Sequence, residues 1–484
     1  MSSTVSTLIR NLVGAEWLEA SSAEKSLPIF NPATGDVIEH VPLSGAPDVD
    51  AAVRAARAAF VEWSRTSVME RVRLMFRFKL VLEDHFEDLA ALVTRHHGKT
   101  LEESRGEVRR GIEVVDFACG APTLLQGRTL RDVSAGVDQD LYRYPLGVCA
   151  GIPPFNFPVM IPLWMFPLAV VAGNTFVLKP SERTPLGGAR LAELFLEAGF
   201  PPGVLNIVHG ASLAVEALLS HPGVSAISFV GSAPVARHVY TQAAASGKRV
   251  QALGGAKNHM VVMPDADPAL AVPAILNSAF GNAGERCLAG SVAVAVGKAA
   301  DSLLDPLRDA AAKLVVGPGD ENGVQVGPLI RAEHRDRVAG YVEKGVAEGA
   351  ELVVDGRREM SRRGFFLGPT ILDRVTPGMA VGREEIFGPV LSVSRAGSLD
   401  EAIAQANTSS LGNMATIFTS SGRAGREFRE RVEAGMTGIN VPIAQPFAFF
   451  PFSGWKGSFF GDLHVHGTDG IDFYTRKKVV VTRW

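Results

Sequence analysis

Between residues 147 and 244 the sequence alternates short, continuous apolar runs with stretches of helical periodicity. Such runs predict strands that are buried on both faces, and amphipathic helices between them predict a parallel sheet covered on both sides. The sequence therefore predicts an α/β fold with a doubly wound domain of the nucleotide-binding type. The predicted strands are 147–152, 175–179, 204–208 and 224–230, and the predicted helices begin near Pro158 or span 184–198, 213–219 and 232–244.

The rest of the chain is long enough for further domains. A chain of 484 residues exceeds the size at which a single hydrophobic core stops growing, so two or three domains are expected. Residues 46–120 are predicted to be largely helical and to dock on the first sheet. Beyond Gly255 a second alternating series predicts another α/β domain, with strands near 291–296, 351–354 and 390–394.

Two segments predict an arm that stands off these domains. Residues 128–143 alternate polar and apolar side chains around a Ser-Ala-Gly turn, which predicts a hairpin. Residues 471–482 predict a terminal strand. Because an exposed terminal strand is usually paired, we expect this one to pair with another subunit.

Charge and cysteine content exclude several classes of protein. The net charge of −3 comes from interspersed acidic and basic residues, so no basic run is available for nucleic-acid phosphates. Cys119, Cys149 and Cys287 are too few and too scattered for a disulfide framework or a CxxC metal site. The segment Met1–Arg10 lacks the features of a secretory signal. We therefore expect a cytoplasmic protein with no nucleic-acid partner.

The stretch from Tyr144 to Leu178 carries no charge and is long enough to cross a bilayer. Six prolines interrupt it, and in lipid so many broken backbone pairings would go unsatisfied. A strand, a turn, a helix and a second strand buried between layers explain it better, so no membrane is expected.

The segment Asn282–Leu288 places Cys287 beside Arg286, in a glycine-rich turn behind a predicted helix. Asp267 can cap that helix and Pro268 fits its first turn. A neighbouring guanidinium favours the thiolate, which is the nucleophilic form of cysteine. The segment thus indicates a catalytic thiol, and a structural cysteine in a turn is the alternative.

Three further segments suggest sites that bind a nucleotide and the oxygen of a reacting carbonyl. The turn Phe229–Pro234 opens a helix capped by Ser232, where free N–H groups and the helix dipole favour a phosphate, although such turns also merely reverse the chain. A carboxylate at Glu182, beside Lys179, would bind ribose hydroxyls and repel a 2′-phosphate, which favours NAD over NADP; a solvated ion pair is the alternative. Asn156 lies in an apolar, proline-framed turn, where its amide could serve as an oxyanion donor.

In combination, five segments resemble the aldehyde dehydrogenase superfamily over nearly the whole chain. They are FNFP around Asn156, KPSERTP from Lys179, FVGS from Phe229, GERC at Cys287 and EEIFGPV from Glu384. The resemblance implies a doubly wound NAD-binding domain (1–124 and 146–254), an α/β catalytic domain (255–464) and a β oligomerisation arm (125–145 and 465–484) that joins subunits into a homodimer or homotetramer.

The resemblance also implies roles for individual residues. Cys287 attacks the aldehyde, the Asn156 amide and the Cys287 backbone N–H hold the oxyanion, and hydride transfer to NAD leaves a thioester. The residues implied in NAD binding are Phe155, Lys179, Glu182, Gly231, Ser232, Leu253, Glu385 and Phe387.

One departure from the family points to a subfamily. Hydrolytic members use a glutamate to activate water against the thioester, and Ala252 occupies its place in Gln251–His259. Because alanine cannot take a proton, water attack would be slowed by roughly 100-fold or more. The thiolate of coenzyme A needs no such base. The ALGGAKNH and GERCLAG runs, with 438–442 and 452–456, resemble the CoA-acylating methylmalonate-semialdehyde (malonate-semialdehyde) dehydrogenases.

That subfamily oxidises and decarboxylates a small-molecule semialdehyde to propionyl-CoA or acetyl-CoA, so the site must bind a carboxylate. Arg286 and Arg110 match the two arginines the subfamily uses, and guanidinium groups suit a planar carboxylate. Arg109 is expected to face solvent. A hydrolytic NAD-dependent aldehyde dehydrogenase that releases free acid, with a base such as Glu385, and a non-catalytic protein on the same scaffold are the alternatives.

The remaining candidates have simpler explanations. The pairs His96–His97 and His464–His466 lack the spacing of ligands that a metal site needs, so no metal is expected. Cys119 and Cys149 lie in apolar runs and are predicted to be core residues. The aromatic run Phe447–Phe452 is predicted to pack, or to form a wall of the substrate funnel.

Overall fold

The computed structural model describes residues 8–22 and 24–484, so residues 1–7 of the Met1–Arg10 segment lie outside the described residues. The strands are β1 (Asn11–Val13), β2 (Glu16–Leu18), β3 (Ser26–Asn31), β4 (Asp36–Pro42), β5 (Arg128–Ser134), β6 (Val137–Pro145), β7 (Val148–Ile152), β8 (Thr175–Leu178), β9 (Leu205–Ile207), β10 (Val224–Val230), β11 (Arg249–Leu253), β12 (Asn258–Val262), β13 (Gly290–Val296), β14 (Glu351–Val354), β15 (Thr370–Asp373), β16 (Val390–Ala396), β17 (Leu411–Gly412), β18 (Met414–Phe418), β19 (Met436–Ile439), β20 (Trp455–Lys456), β21 (Phe459–Phe460) and β22 (Thr475–Arg483).

The α-helices surround these strands. They are α1 (Ala46–Trp63), α2 (Val68–Asp84), α3 (Phe86–His97), α4 (Leu101–Cys119), α5 (Ala121–Leu124), α6 (Met160–Val171), α7 (Pro185–Glu197), α8 (Ser212–Ser220), α9 (Ala233–Ala245), α10 (Pro268–Phe280), α11 (Ala299–Ala311), α12 (Ala332–Ala347), α13 (Ala380–Arg383), α14 (Leu399–Asn407), α15 (Gly422–Arg431) and α16 (Gly467–Phe473). Short 3-10 segments occupy Gly281–Gly284 and Gly356–Ser361.

The first sheet has the strand order β2-β1-β9-β8-β7-β10-β11-β21. Its five central strands, from β9 to β11, run parallel, as the alternation of strands and helices predicts. The two edges differ from the prediction, because β1 and β21 pair antiparallel with β9 and β11. Strand β21 comes from the range 255–464, so one short strand of that range completes the first sheet.

The second sheet has the order β14-β15-β16-β13-β12-β18-β19 and is parallel except at the β14–β15 edge. The sequence predicts β13, β14 and β16 of this sheet but not β12, β15, β18 or β19. A hydrophobic cluster between this sheet and helices α10, α11 and α12 includes Ile275, Leu307, Val342 and Leu391. This cluster supports the helix that leads to Cys287.

The arm is a three-stranded sheet in the order β22-β6-β5. Strand β22 pairs antiparallel with β6 of the same chain, from Thr475 opposite Pro145 to Arg483 opposite Val137. Strand β22 thus pairs within its own chain on one side, and the pairing with another subunit stays a prediction for its outer edge. The predicted start at 471 is wrong, because residues 471–473 close helix α16 and an Asp472–Arg143 ion pair holds that helix to the hairpin.

The uncharged stretch before Leu178 folds as predicted into β7, α6 and β8. All residues of these three elements are buried, because β7 and β8 lie at the centre of the first sheet and α6 packs between that sheet and helices α2 and α4. Over residues 8–22 and 24–484, no helix combines the length and the apolar character needed to span a membrane.

Candidate active site

The predicted helix before the thiol is α10, and it has the predicted cap. The Asp267 carboxylate accepts a hydrogen bond of 2.9 Å from the backbone N–H of Ala269. After Gly281 the chain turns through left-handed backbone at Asn282 (φ 55°) and Ala283 (φ 50°), which costs energy in residues other than glycine. Glu103 of α4 accepts a bond from the Asn282 N–H at 2.5 Å and thereby fixes the turn that presents Cys287.

Two asparagines that sequence analysis did not assign hold the Cys287 peptide. The side-chain amides of Asn258 and Asn413 donate to the Cys287 carbonyl at 2.9 and 2.8 Å. Asn258 opens β12 and Asn413 immediately precedes β18, its neighbour in the second sheet. Only Asn258 lies in a segment that the resemblance singles out, so Asn413 left no signal in the sequence.

Burial raises the pKa of the Cys287 thiol to about 12, and the Glu385 carboxylate adds to the increase. The backbone N–H groups of Cys287 and Leu288 and the Arg286 guanidinium oppose it. The Arg286 guanidinium thus lowers the pKa of the thiol in the direction that the sequence predicts, but burial has the larger effect in the protein alone. The other two cysteines, Cys119 and Cys149, are buried in the core as predicted.

Asn156 lies next to the thiol loop, as an oxyanion donor must. Its side-chain N–H donates to the backbone carbonyl of Glu285 at 2.8 Å, and Asn282 donates to the same oxygen at 2.8 Å. A primary amide has two N–H bonds, so one remains for a reacting oxygen. Asn156 is 3% exposed and borders the same cavity as Cys287, so the structure brings the two predicted catalytic residues together.

A cavity of about 850 Å³ runs from Cys287 along the carboxyl ends of the first sheet. We call it the long cavity. Its lining includes seven of the residues implied in NAD binding, namely Phe155, Lys179, Glu182, Gly231, Ser232, Glu385 and Phe387. Leu253 is not in the lining; its carbonyl accepts a 3.1 Å bond from the Gly231 N–H, and the lining continues at Gly254 and Gly255. Sequence analysis did not identify Arg183, His334 and Arg337 of the same lining.

The far end of the long cavity has the polar groups that a nucleotide needs. The Lys179 ammonium lies 3.4 Å from the Glu182 carboxylate and donates to the Gly210 carbonyl at 2.9 Å. Burial opposes ionisation of Glu182, but Lys179 and nearby N–H groups outweigh it and lower the pKa of Glu182. Ser232 takes the N-cap position of α9, but its hydroxyl makes no capping bond, contrary to prediction. The first N–H groups of α9 therefore stay open to an anion.

Glu385 and Phe387 lie at the end of the long cavity nearest the thiol. The Glu385 carboxylate accepts a 2.8 Å bond from the Ala256 N–H, and burial raises the pKa of Glu385 to about 6. A Cβ at Gly255 would collide with this carboxylate, so only glycine leaves it in place. The Phe387 ring meets the Phe155 ring edge-on at 5.9 Å between centroids, which closes one wall of the cavity.

On the other side of Cys287 lies a smaller cavity of about 210 Å³, which we call the short cavity. Arg110 and Arg286 both line it, so the structure brings together the two arginines predicted to bind a carboxylate. The Arg110 guanidinium lies 4.7 Å from the Phe447 ring centre, and Arg286 contacts the Asn277 carbonyl. Arg109 points away and pairs with Glu83 at 2.7 Å, as expected for a solvent-facing charge.

Helix α4 contributes one face to the short cavity. Glu103, Gly106, Glu107 and Arg110 all line it, and each lies three or four positions from another of them, on one face of the helix. Phe452 of the aromatic run also belongs to the lining, whereas Phe447 is 57% exposed. The run thus forms part of the cavity wall, which is one of the two outcomes the sequence allowed.

Strand β11 carries Ala252, the residue that takes the place of the glutamate of hydrolytic members. Ala252 is fully buried in a cluster with Val250 and Phe229. Leu253 points to the opposite side of the strand and belongs to the cluster against which Cys287 packs. Neither side chain can accept a proton.

The histidine pairs serve packing. His96 and His97 are buried, and the His97 ring stacks on Phe155 at 5.9 Å between centroids. His466 is buried against Trp164 at 4.3 Å. The part of the chain that the structure describes contains no group of three or more histidine, cysteine or acidic side chains placed to hold a metal ion.

A thiol that borders two cavities suits an enzyme that forms a covalent bond to its substrate beside a bound cofactor. Comparisons with known proteins identify the family. The chain belongs to the aldehyde dehydrogenase family, whose profile matches residues 17–480. Malonate-semialdehyde dehydrogenase 2 of Geobacillus thermodenitrificans (strain NG80-2) is 56% identical over 99% of this chain and 100% of its own length. Malonate-semialdehyde dehydrogenase of Halalkalibacterium halodurans is 54% identical, with 98% of each chain covered.

Solved structures agree as well. A methylmalonate-semialdehyde dehydrogenase from Oceanimonas doudoroffii superposes with a TM-score of 0.97 at 48% identity, covering 99% of this chain and 98% of its own. A Sinorhizobium meliloti 1021 protein, described as a methylmalonate-semialdehyde dehydrogenase and determined with NAD, gives 0.98 at 44% identity over 99% of both chains. These comparisons confirm the family, the fold and the subfamily that the sequence resembles.

Proposed function

We propose that this protein is an NAD-dependent, CoA-acylating dehydrogenase of malonate semialdehyde and methylmalonate semialdehyde. The observation that carries the proposal is the position of Cys287, which borders both cavities. The short cavity offers two guanidinium groups to the substrate carboxylate, while the long cavity offers a dinucleotide the open N-terminus of α9 and the carboxylates of Glu182 and Glu385. The names and the NAD complex of similar proteins support the same assignment.

The chemistry follows from the groups around the thiol. The Cys287 sulfur, once deprotonated, forms a bond to the aldehyde carbon, and the carbonyl electrons move to oxygen, where the free N–H of Asn156 stabilises the negative charge. NAD, when bound, supplies the hydride acceptor. Loss of hydride from the aldehyde carbon restores the carbonyl and leaves a thioester on Cys287. The Phe155 and Phe387 rings limit the access of water to this end of the long cavity.

Release of the acyl group then needs a second nucleophile. The thiolate of CoA attacks the thioester carbonyl, the bond to Cys287 breaks, and the cysteine thiolate is regenerated. Loss of CO2 from the β-carboxylate leaves an enolate whose oxygen Asn156 can stabilise, and protonation at carbon gives acetyl-CoA or propionyl-CoA. Leu253 and Ala252 on β11 supply no base for water, which supports transfer to a thiol over hydrolysis.

The second candidate is a hydrolytic aldehyde dehydrogenase, and one observation favours it. Glu385 and Cys287 both border the long cavity, and the Glu385 carboxylate raises the pKa of the thiol. A carboxylate with a pKa of about 6 could act as a general base. However, its 2.8 Å bond to Ala256 and its place beside the nicotinamide end suit binding of a ribose hydroxyl better.

Product analysis separates the two candidates. With malonate semialdehyde and NAD but no CoA, we expect a burst of one NADH per Cys287, after which NADH formation stops. When CoA is added, we expect steady turnover and formation of acetyl-CoA. Steady NADH formation without CoA, with free acid as the product, would establish hydrolysis instead. Cys287→Ser should give no burst under either condition.

We also propose that the protein acts in the reducing cytoplasm as a homodimer or homotetramer. All three cysteines are free thiols, which suits a reducing compartment. The outer edge of the arm sheet is β22, where Val479 and Val481 are each 60% exposed. Such an apolar edge favours pairing with a second subunit. Light scattering of the full chain and of a Val479→Lys variant tests this, since the variant should dissociate.

A further inference from the structure

We infer that the buried ion pair between Lys99 and Glu107 is a positioning device, which sets the Asn156 amide for oxyanion binding. The inference rests on the proposed aldehyde oxidation, because Asn156 would hold the oxygen of the reacting carbonyl. Neither Lys99 nor Glu107 is assigned a part in that chemistry above, and both border the short cavity beside Cys287.

The Asn156 turn depends on contacts from outside itself. Residues 153–159 form no helix or strand between β7 and α6. The Asn156 side chain bonds to the Glu285 carbonyl, so the direction of its second N–H depends on where the backbone of the turn lies. A shift of about 1 Å in such a group can cost roughly 100-fold in rate.

The ion pair holds this backbone at both ends of the turn. The Lys99 ammonium donates to the Asn156 carbonyl at 2.6 Å and to the Glu107 carboxylate at 2.6 Å. The other oxygen of Glu107 accepts from the N–H groups of Val159 at 2.8 Å and Met160 at 3.2 Å, where α6 begins. Lys99, just before α4, and Glu107, on α4, thus hold the backbone on the two sides of Phe157.

Burial argues against a purely stabilising role. The side chains of Lys99 and Glu107 are both 0% exposed. A buried ion pair loses so much hydration that apolar side chains of similar size are often as stable or more so. The charged groups instead fix the position of the turn, because each of their hydrogen bonds holds one backbone atom in place. The Lys99 ammonium also lies 4.1 Å from the Phe157 ring centre, which confines it further.

The test uses Lys99→Met, Glu107→Gln and the double variant, in which no unpaired charge remains. Lys79→Met is the matched control, because Lys79 pairs with Asp116 at 3.1 Å on the surface of the same layer of helices. The measurement is the rate of the NADH burst without CoA, for malonate semialdehyde and for propanal, together with NAD affinity and Tm.

We expect the burst rate to fall about 100-fold for both aldehydes, the size of effect seen when an oxyanion donor is lost or displaced. NAD affinity should remain unchanged, and Lys99→Arg, which keeps a donor, should recover part of the rate. If single variants fold poorly, the double variant carries the test, and its NAD affinity reports whether the fold is intact.

Three results would overturn the inference. A normal burst rate in the double variant would show that the pair does not set Asn156. A loss confined to malonate semialdehyde, as a raised KM, would make Lys99 a ligand of the substrate carboxylate. An equal loss of burst rate in Lys79→Met would show that the effect comes from lower overall stability and not from the position of Asn156. If the wild-type protein forms no NADH from either aldehyde, the proposed function fails rather than this inference.

Discussion

Arg110 and Glu385 line two different cavities, and the Cys287 thiol borders both. Arg110 lies on α4 in the short cavity, and Glu385 lies at the inner end of the long cavity. Among the lining residues that the structure describes, Cys287 alone is common to the two cavities. In the proposed function, the substrate carboxylate and the nicotinamide would therefore reach the sulfur from different cavities.

Arg286→Leu should impair the use of aldehydes that carry a carboxylate. Hydrogen bonds to charged groups contribute about 1.5–3 kcal/mol, so KM for malonate semialdehyde should rise roughly tenfold to 100-fold. KM for propanal should change much less, because propanal has no carboxylate. Arg109→Leu is the control, since Arg109 pairs with Glu83 outside the cavity. Equal effects on both aldehydes would remove Arg286 from substrate recognition.

The affinity for NAD should depend on pH through Glu385. Burial raises the pKa of Glu385 to about 6, so this carboxylate, which we propose binds a ribose hydroxyl, becomes protonated as the pH falls below that value. We expect KM for NAD to rise toward tenfold per pH unit below pH 6. Glu385→Gln should flatten this profile. If the slope persists in the variant, another group titrates.

The same shift of the Glu385 pKa has a defined sign for stability. The folded state holds the proton more tightly than the unfolded state, so the contribution of Glu385 to stability declines as the pH rises from 4.5 to about 6. Denaturant unfolding of the wild-type protein and Glu385→Gln at pH 5 and pH 7 measures it. A larger gain for the variant at pH 5 would contradict the assignment.

Glu182→Ala should weaken the preference for NAD over NADP. The carboxylate beside Lys179 would bind a ribose hydroxyl and repel a 2′-phosphate. Removing it should raise the ratio of kcat/KM for NADP to that for NAD by about tenfold, the lower end of what a charged hydrogen bond contributes. Glu216→Ala, at another carboxylate of the same cavity, is the control. An unchanged ratio would exclude Glu182 from this role.

Iodoacetamide should label Cys287 well before Cys119 and Cys149. Cys287 borders both cavities, whereas the other two thiols are buried. Because burial raises the pKa of the Cys287 thiol to about 12, labelling should still accelerate between pH 7 and pH 10. A plateau by pH 7 would mean that the thiolate is already formed in the free protein.

The sequence predicted the parts of the site that are local in the chain. The helix before Cys287 and its Asp267 cap were predictable because a cap, a first-turn proline and an apolar face lie within a few residues of one another. The strands β7, β8, β9 and β10 of the first sheet were predictable because each is a continuous apolar run, whereas β1, β2, β11 and β21 were not predicted. Strand β12 was not, because it begins inside a glycine-rich run that has no such pattern.

Contacts between distant residues could not be predicted in this way. Lys99 and Asn156 are 57 positions apart, and Asn413 and Cys287 are 126 apart. No periodicity links such pairs, because they meet only after the helices and sheets have packed.

The position of Cys287 between the long and short cavities has a consequence for inhibitor design. A compound that joins a short dicarboxylate mimic to a nucleotide-like group must thread its linker past the sulfur atom. An electrophilic carbon in that linker would meet the nucleophile at close range. Selectivity would then come from both ends of the molecule, while covalent capture at the middle would make the binding durable.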